Sequence, residues 1–286
     1  MDPQAAAPSP VPAATVVVVR DGAEGLEVLM LCRQQSLAVH AGAYVFPGGK
    51  VEPDDYLYAN VLRRDTPEAL SQALGEAGLA AADALALHVA AVRETYEESG
   101  ILLGEGASSD DLFASVGRGD PFAQIVRRCA GDLRLSTLVP WSRWITPAGS
   151  FTSSRRFDTR FFVCVAPGGQ LARHDASESS EALWVAPQQA LGRYWRGEIK
   201  LMPPQIMTLD HISAFRDTSS LMAAARRGRP YVVRPMPLQQ GEERMVVYPG
   251  DELHVERQQV MPGPTRLFFR DGRYEPGTVP PVKSAG

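Results

Sequence analysis

The sequence lacks the features that mark secreted and membrane-spanning proteins. Only three of its 286 residues are cysteine, at positions 32, 129 and 164. Their odd number and long spacings argue against a disulfide framework or a cysteine zinc site, and they predict reduced thiols. No apolar run approaches the length that spans a bilayer. Residues 1–8 carry an acid and no basic segment followed by an apolar run, so we predict no secretory signal.

The chain also lacks an excess of basic residues. It has 29 lysines and arginines against 33 aspartates and glutamates, for a net charge of −4. Since basic side chains supply most non-specific affinity for nucleic acid, we expect no nucleic-acid partner. The lack of a bilayer-spanning apolar run predicts no membrane partner. The short cluster at 226–229 is better explained as a solvated helix end. The C-terminal residues 284–286 match no peroxisomal address, and we predict a cytoplasmic location.

A cluster of carboxylates is the most informative feature that the sequence does contain. Glu94, Glu97 and Glu98 follow directly after Arg93. On a helix, Glu98 lies about 40° and Glu97 about 60° from Glu94, so all three can point at one small volume. Like charges at this spacing destabilise an isolated helix, whereas Mg²⁺ prefers such oxygen ligands. A solvated acidic helix face would give the same pattern.

Together with the upstream pair Gly48-Gly49, this cluster resembles the signature of the nudix hydrolases. That signature reads Gly-x5-Glu-x7-Arg-Glu-U-x-Glu-Glu-x-Gly-U, where U is a bulky apolar residue. Gly49 matches its first glycine. The second half is matched at Arg93, Glu94, Glu97, Glu98, Gly100 and Ile101.

Three features depart from the signature. Asp55 replaces its first glutamate and Thr95 replaces an apolar residue. The 37 residues 56–92 stand where the family has seven. A signature split in this way is similar to the subgroup that contains the peroxisomal coenzyme A diphosphatases of animals and their bacterial relatives. The segments 42–49, 141–147, 155–162 and 203–205 resemble the same subgroup. A sister group carries an arginine where this chain has Ala38.

The resemblance implies an α+β fold, a nudix-type α/β/α sandwich with a mixed sheet. We expect a disordered tail at 1–13, a nudix domain at 14–225 and a C-terminal extension at 226–286 that adds a small β element. Residues 56–82 would form one or two short helices inserted within the signature. So long a connection is often a lid or a specificity element.

The following helix should begin at the N-cap Asp83 and end at Gly100. Its apolar stripe consists of Leu85, Val89, Val92 and Tyr96.

The resemblance also implies roles for the site residues. Glu94 and Glu98, with Glu97 third, would bind Mg²⁺ or Mn²⁺, and Arg93 would orient a glutamate through a bidentate pair. Arg93, Glu94, Glu97 and Glu98 would thus form the catalytic set. Gly48 and Gly49 would approach the substrate closely, and a backbone carbonyl there could be a further ligand. Glu52 and Asp55 would hold metal-bound waters or brace the loop, Asp55 through water.

The remaining assignments stay open between two interpretations each. Arg155 and Arg156 are candidates for binding a substrate phosphate, or they are structural charges. The general base is a signature glutamate or a loop acid such as Glu178 or Glu181. Two further pairs are candidates whose simpler explanation is packing: Trp144 and Phe157 could stack on a base, and His40 and His88 could be ligands.

The predicted reaction is metal-dependent hydrolysis of a pyrophosphate linkage in a nucleoside diphosphate derivative. Coenzyme A or an acyl-coenzyme A is the first candidate for the substrate. NADH, ADP-ribose and dinucleoside polyphosphates are alternatives within the same chemistry. A non-catalytic nudix domain that senses a nucleotide is the alternative from another class. The partner is thus a small nucleotide-derived molecule, and a homodimer is possible.

Overall fold

The computed structural model describes residues 9–34, 41–59, 64–104, 110–129, 133–149, 155–173 and 179–276. Eight helices lie in this part of the chain: α1 (Pro53–Ala59), α2 (Pro67–Leu74), α3 (Ala81–Ser99), α4 (Asp110–Arg118), α5 (Phe122–Cys129), α6 (Pro187–Trp195), α7 (Pro203–Ile212) and α8 (Thr218–Arg227). The strands are β1 (Val11–Gly22), β2 (Gly25–Arg33), β3 (Tyr44–Val45), β4 (Gly48–Lys50), β5 (Val139–Ile145), β6 (Phe157–Val165), β7 (Ser179–Val185), β8 (Tyr231–Val233), β9 (Met236–Gln240), β10 (Glu243–Val247), β11 (Arg266–Arg270) and β12 (Arg273–Pro276).

The first eight strands form one mixed sheet in the order β3-β2-β1-β6-β5-β8. Strand β4 joins it beside β1, and β7 joins it beside β2. The pairs β1–β6 and β5–β8 are parallel, whereas the other pairs are antiparallel. Strands β9 to β12 form a second, antiparallel sheet. The predicted α+β class with a mixed sheet is confirmed.

Strand alternation gives the main sheet two buried faces. On β1, Val16 and Val18 pack with the core on the α3 side, whereas Val17 and Val19 pack with the core on the opposite side. Helices α6, α7 and α8 cover that second face. Side chains that alternate between two apolar cores need cover on both faces, and the helices on either side complete the predicted sandwich. Among the described residues, no helix has the length and apolarity to cross a membrane.

Two predicted boundaries need correction. Strand β1 begins at Val11, so residues 11–13 belong to the sheet and not to the predicted tail; Val11 donates its amide to the Arg156 carbonyl. Helix α3 begins at Ala81 after the N-cap Ala80, and not after Asp83. Asp83 lies in the first turn, where its carboxylate accepts a hydrogen bond from the Tyr56 hydroxyl at 2.8 Å and complements the helix dipole.

The C-terminal end of α3 follows the sequence prediction. Gly100 terminates the helix in the left-handed conformation with φ 68°. The predicted stripe of Leu85, Val89, Val92 and Tyr96 is buried. The helix therefore packs on the sheet through this stripe, and residues 84–92 are buried on its other faces as well.

The inserted segment forms short helices as predicted, and ion pairs fix it to the sheet. Glu76, which follows α2, contacts Arg160 of β6 at 2.6 Å and Arg143 of β5 at 2.7 Å. The Asp65 carboxylate accepts hydrogen bonds from the amides of Leu135 and Ser136. Residues 60–63 lie outside the described part. The segment is thus attached at both ends of α2, in contrast to a freely hinged lid.

The C-terminal part adds the predicted β element and is joined closely to the domain. Helix α8 extends through Arg227, past the expected boundary at 226. Strand β8 pairs with β5 in the main sheet. Tyr248 and Leu267 are buried in the same core as the helices of the second face. The extension therefore completes the sandwich and covers the core.

Candidate active site

The glycine loop, residues 44–50, lies directly against the C-terminal half of α3. Strand β4 pairs with β1, which places Gly48 beside Thr15. The Gly48 amide donates a hydrogen bond to a Glu98 carboxylate oxygen at 3.0 Å. A Cβ atom on Gly49 would lie 2.3 Å from the Glu94 carboxylate. A larger residue at position 49 would have to displace the Glu94 carboxylate, so the glycine pair and the two glutamates form one unit.

Arg93 connects the three elements of the site. Its Nε and Nη2 atoms bond to the two oxygens of Asp55 at 2.7 and 3.0 Å. Its Nη1 donates to Glu94 at 2.9 Å and to Glu97 at 3.0 Å, and its Nη2 reaches the Lys50 carbonyl at 3.1 Å. Burial alone would lower the pKa of Arg93, but the bonds and charges of these carboxylates outweigh it and raise the pKa.

Arg93 forms a bidentate pair with Asp55, and not with a glutamate as predicted. The guanidinium orients Glu94 and Glu97 through single bonds. Asp55 has no exposed surface, and its carboxylate also accepts the Glu52 amide at 2.8 Å. The expectation that Asp55 acts through a water is wrong, because the side chain is wholly enclosed. Its alternative role, bracing the loop, is confirmed.

The three glutamates differ in exposure. Glu98 is buried and the Glu94 side chain is 15% exposed, whereas the Glu97 side chain is 46% exposed. Partial burial raises the pKa of Glu97, an effect that Arg93 opposes. The cluster thus runs from a buried end at Gly48 to an accessible end at Glu97.

The donor chemistry fits a hard divalent cation. Carboxylate oxygens are ligands that Mg²⁺ and Mn²⁺ prefer, and Mg²⁺ keeps several waters and substrate oxygens in its shell. Within the described ranges, no three aspartate, glutamate, histidine or cysteine side chains form a closed metal cage. An open site that needs water and substrate to complete it is consistent with that arrangement. Glu94 and Glu98, both against the glycine loop, would hold the ion.

The predicted phosphate-binding arginines lie directly before β6, which begins at Phe157. The Arg156 Nε donates to the Thr146 carbonyl at 3.1 Å. The next residue, Phe157, pairs with Val11 of β1, whereas Gly49 pairs with Ala14 of the same strand. Arg155 and Arg156 are therefore at the same end of the sheet as the glycine loop.

Of the two loop acids that are candidates for the general base, one lies in the described part of the chain. Glu178 lies outside the described residues. Glu181 is on β7, where its carboxylate accepts a hydrogen bond from the Tyr44 hydroxyl at 2.6 Å. Burial and this bond raise the pKa of Tyr44, so the tyrosine stays a donor to Glu181. The structure brings the signature glutamates together and leaves Glu181 engaged elsewhere.

Packing explains two of the residues with alternative interpretations. Trp144 is buried, packs at an angle against Phe161 and edge-to-face against Tyr248, and donates its indole N–H to Ser142. His88 has no exposed surface and contacts Phe162. His40 lies outside the described residues. Phe157 is half-buried.

A network of four charges was not found by sequence analysis. Glu76 and Asp158 each pair with both Arg143 and Arg160. Asp158 and Arg160 stand two residues apart on β6 and share a face of the strand, which is a signal that the sequence did contain. Their partner Glu76 lies 84 positions from Arg160 in the sequence, and nothing in the local pattern predicts that contact.

Comparisons with known proteins place the chain in a family. A family model described as the NUDT19 Nudix domain matches residues 5–212. The acyl-coenzyme A diphosphatase NUDT19 of Xenopus laevis is 29% identical over 272 residues, covering 80% of this chain and 72% of the relative. The protein of the same name from Gallus gallus is 30% identical over 278 residues, covering 80% and 73%.

A solved structure supports the fold. The crystal structure of a NUDIX hydrolase from Alicyclobacillus acidocaldarius superposes with a TM-score of 0.59 at 29% identity. The match covers 79% of this chain and 99% of that protein. About a fifth of this chain lies outside the match.

Proposed function

Since this chain belongs to the family of NUDT19 Nudix domains, we propose that it is a nudix hydrolase that cuts the pyrophosphate linkage of coenzyme A or an acyl-coenzyme A. The observation that carries this proposal is the unit of Glu94, Glu98 and the glycine loop, braced by Arg93 and Asp55. A divalent cation, Mg²⁺ or Mn²⁺, would neutralise the pyrophosphate oxygens and lower the pKa of a bound water.

Each side chain has a task that follows from its contacts. Glu94 and Glu98 would hold the cation, and the carbonyl of Gly48 or Gly49 is a candidate for a further ligand. Arg93 keeps the carboxylates in place because it is fixed by Asp55. Glu97, whose pKa is raised and whose side chain reaches solvent, is our candidate for moving a proton, since a base titrating closer to neutral pH is more effective.

The substrate assignment rests on the relatives and on the two arginines that precede β6. The two vertebrate relatives carry the name acyl-coenzyme A diphosphatase. Arg155 and Arg156 would bind the 3′-phosphate of coenzyme A, for which arginine geometry is well suited. NADH, ADP-ribose and dinucleoside polyphosphates are the competing substrates for the same chemistry.

A sensor domain without activity is the second candidate, and the site argues against it. Loss of signature glutamates would be expected in such a domain. Here Glu94, Glu97 and Glu98 are all present. Arg93 holds Glu94 and Glu97, and Glu98 accepts the Gly48 amide. Three acids kept together at an electrostatic cost indicate a use for them.

The test is a product assay with Mg²⁺ and Mn²⁺ in separate reactions. Coenzyme A should yield 3′,5′-ADP and 4′-phosphopantetheine, and dephospho-coenzyme A should be used less well. Arg155→Ala and Arg156→Ala should each reduce the preference for coenzyme A over dephospho-coenzyme A, measured as the ratio of their kcat/KM values. Inertness toward coenzyme A with turnover of NADH or ADP-ribose would refute the substrate. Inertness toward every pyrophosphate would favour the sensor.

We also propose that the protein is cytoplasmic and forms a homodimer. The described cysteines, Cys32, Cys129 and Cys164, are free thiols, as expected in a reducing compartment. Cell fractionation and light scattering at several protein concentrations test these two points.

A further inference from the structure

We propose that Tyr58 is a further substrate-binding residue, whose hydroxyl donates a hydrogen bond to an oxygen of the pyrophosphate beside Glu97. Tyr58 lies on α1, at the beginning of the inserted segment. The residue is half-buried. In the part of the chain that the structure describes, its hydroxyl has no hydrogen-bond partner, and the oxygen is not fully enclosed. The inference rests on the hydrolase function proposed above.

Helix periodicity directs Tyr58 toward the catalytic helix. It follows Asp55 by three residues, and residues at this spacing lie on the same face of a helix. Asp55 is fixed on Arg93 of α3 at 2.7 Å. Tyr58 therefore faces α3 one turn further along α1, whereas the intervening Tyr56 and Leu57 are exposed.

Aromatic contacts place Tyr58 at the end of α3 that carries Glu97. Its ring meets Phe122 edge to face, with 5.4 Å between the centroids. Phe122 also contacts Tyr96, at 6.1 Å, and Tyr96 directly precedes Glu97 in the sequence. The three rings thus hold the phenol of Tyr58 beside the accessible end of the carboxylate cluster.

The charges around Tyr58 agree with this placement. Burial raises the pKa of its hydroxyl above the ordinary value of 10, and the carboxylates of Asp54, Glu97 and Asp55 raise it further, although Arg93 opposes them. Because charge effects weaken with distance, the hydroxyl lies near these carboxylates. At neutral pH it is protonated and can donate a hydrogen bond to an anion.

The signature residues of α3 have no side-chain donor left for the substrate. Arginine carries five N–H groups, and Arg93 uses all of them. Asp55 accepts two, and Glu94, Glu97 and the Lys50 carbonyl accept one each. The glutamates themselves only accept when ionised. A pyrophosphate that is bound through a cation would thus receive no hydrogen bond from these side chains, and Tyr58 supplies one.

The experiment compares Tyr58→Phe with the matched control Tyr56→Phe. Tyr58→Phe keeps the ring against Phe122 and removes only the hydroxyl. Tyr56→Phe makes the same chemical change on a hydroxyl that is bonded to Asp83. The values of kcat/KM for coenzyme A and dephospho-coenzyme A are measured together with Tm. Calorimetry with Mg²⁺ gives the Kd of α,β-methylene-ADP, whose phosphorus–carbon bridge resists hydrolysis.

Tyr58→Phe should lower kcat/KM for both substrates by the same factor, because the pyrophosphate is common to them. A hydrogen bond to a charged group predicts a loss on the order of 10- to 100-fold. The Kd of the analogue should rise in the same direction, while Tm stays level. Tyr56→Phe should stay near the parent in kcat/KM and in Kd.

Unchanged kcat/KM and Kd in Tyr58→Phe would overturn the proposal, and so would a loss of the same size in Tyr56→Phe. A loss for coenzyme A alone would also overturn it, because the hydroxyl would then contact the 3′-phosphate and not the pyrophosphate. If the parent cuts neither substrate but binds the analogue, the hydrolase proposal fails and the Kd comparison decides the role of Tyr58. If the parent does not bind the analogue, both proposals fail.

Discussion

Asp55 and Arg93 form a buried ion pair with two hydrogen bonds, of 2.7 and 3.0 Å, across the insertion that splits the signature. Asp55 is wholly enclosed and the Arg93 side chain is 8% exposed. The pair joins the start of α1 to the second half of α3. It leaves one nitrogen of Arg93 to hold Glu94 and Glu97, so the geometry of the carboxylates depends on Asp55.

Asp55→Asn should therefore destabilise the fold and impair activity together. The substitution leaves the buried guanidinium without its main counter-charge, and breaking a buried pair in this way costs about 3–5 kcal/mol. Urea denaturation measures the change in the free energy of unfolding. The neighbouring exposed Asp54→Asn is the matched control and should stay near the parent. Equal stability of the two variants would show that the pair contributes little.

Glu98→Gln should abolish turnover and leave the fold intact. The amide keeps the shape of the side chain, and its oxygen can still accept the Gly48 amide. The lost negative charge removes a metal ligand, so we expect the rate to fall on the order of 100-fold or more. Without metal, Tm should stay level or rise because like-charge repulsion is relieved. Glu68→Gln on the exposed side of α2 is the control. If Glu98→Gln keeps most of the metal-dependent activity, Glu98 is not a metal ligand.

Gly49→Ala should impair catalysis through contact with a single side chain. The new Cβ would lie 2.3 Å from Glu94, which must move and so leave its position beside Arg93. We expect kcat to fall at least about tenfold, since a misplacement near 1 Å at a reacting centre can cost more than that. Gly168→Ala is the control, because a Cβ there would meet no atom within 4 Å. Full activity in Gly49→Ala would mean that catalysis does not depend on the observed position of the Glu94 carboxylate.

Sequence analysis predicted the parts of this protein that depend on local pattern. The stripe from Leu85 to Tyr96 and the glycine terminator at Gly100 follow from helix periodicity and backbone freedom, and both are confirmed. The spacing of Glu94 and Glu98 was sufficient to place them on one side of α3. The mixed sheet followed from the resemblance to a family and not from any strand by itself.

The relationships that sequence analysis missed join residues far apart in the chain. The role of Asp55 depends on its complete burial beneath Arg93, which no local property of the segment 53–59 encodes. The start of α3 was misplaced because Asp83 is a good capping residue, and yet its side chain bonds to Tyr56. Tertiary contacts decided both cases, and local propensity is too weak to compete with them.

His88 gives a prediction for acid stability that is separate from catalysis. It has no exposed surface, and burial lowers its pKa to about 4 from an ordinary value of 6.5. Between pH 6.5 and pH 4, His88 is protonated in the unfolded chain and neutral in the folded chain. The contribution of His88 to stability is therefore complete above pH 6.5 and is lost as the pH falls toward 4, by about 3 kcal/mol in total.

His88→Phe should remove this dependence while keeping a ring against Phe162. The free energy of unfolding is measured for parent and variant by urea denaturation at intervals from pH 7 to pH 4. The difference between the two curves should change by about 3 kcal/mol in favour of the variant as the pH falls, whatever constant offset the larger ring adds. His211, whose pKa burial also lowers to about 4, provides the matched comparison: His211→Phe should give a second, independent change of the same sign. Parallel curves for parent and His88→Phe would mean that folding does not shift the pKa of His88.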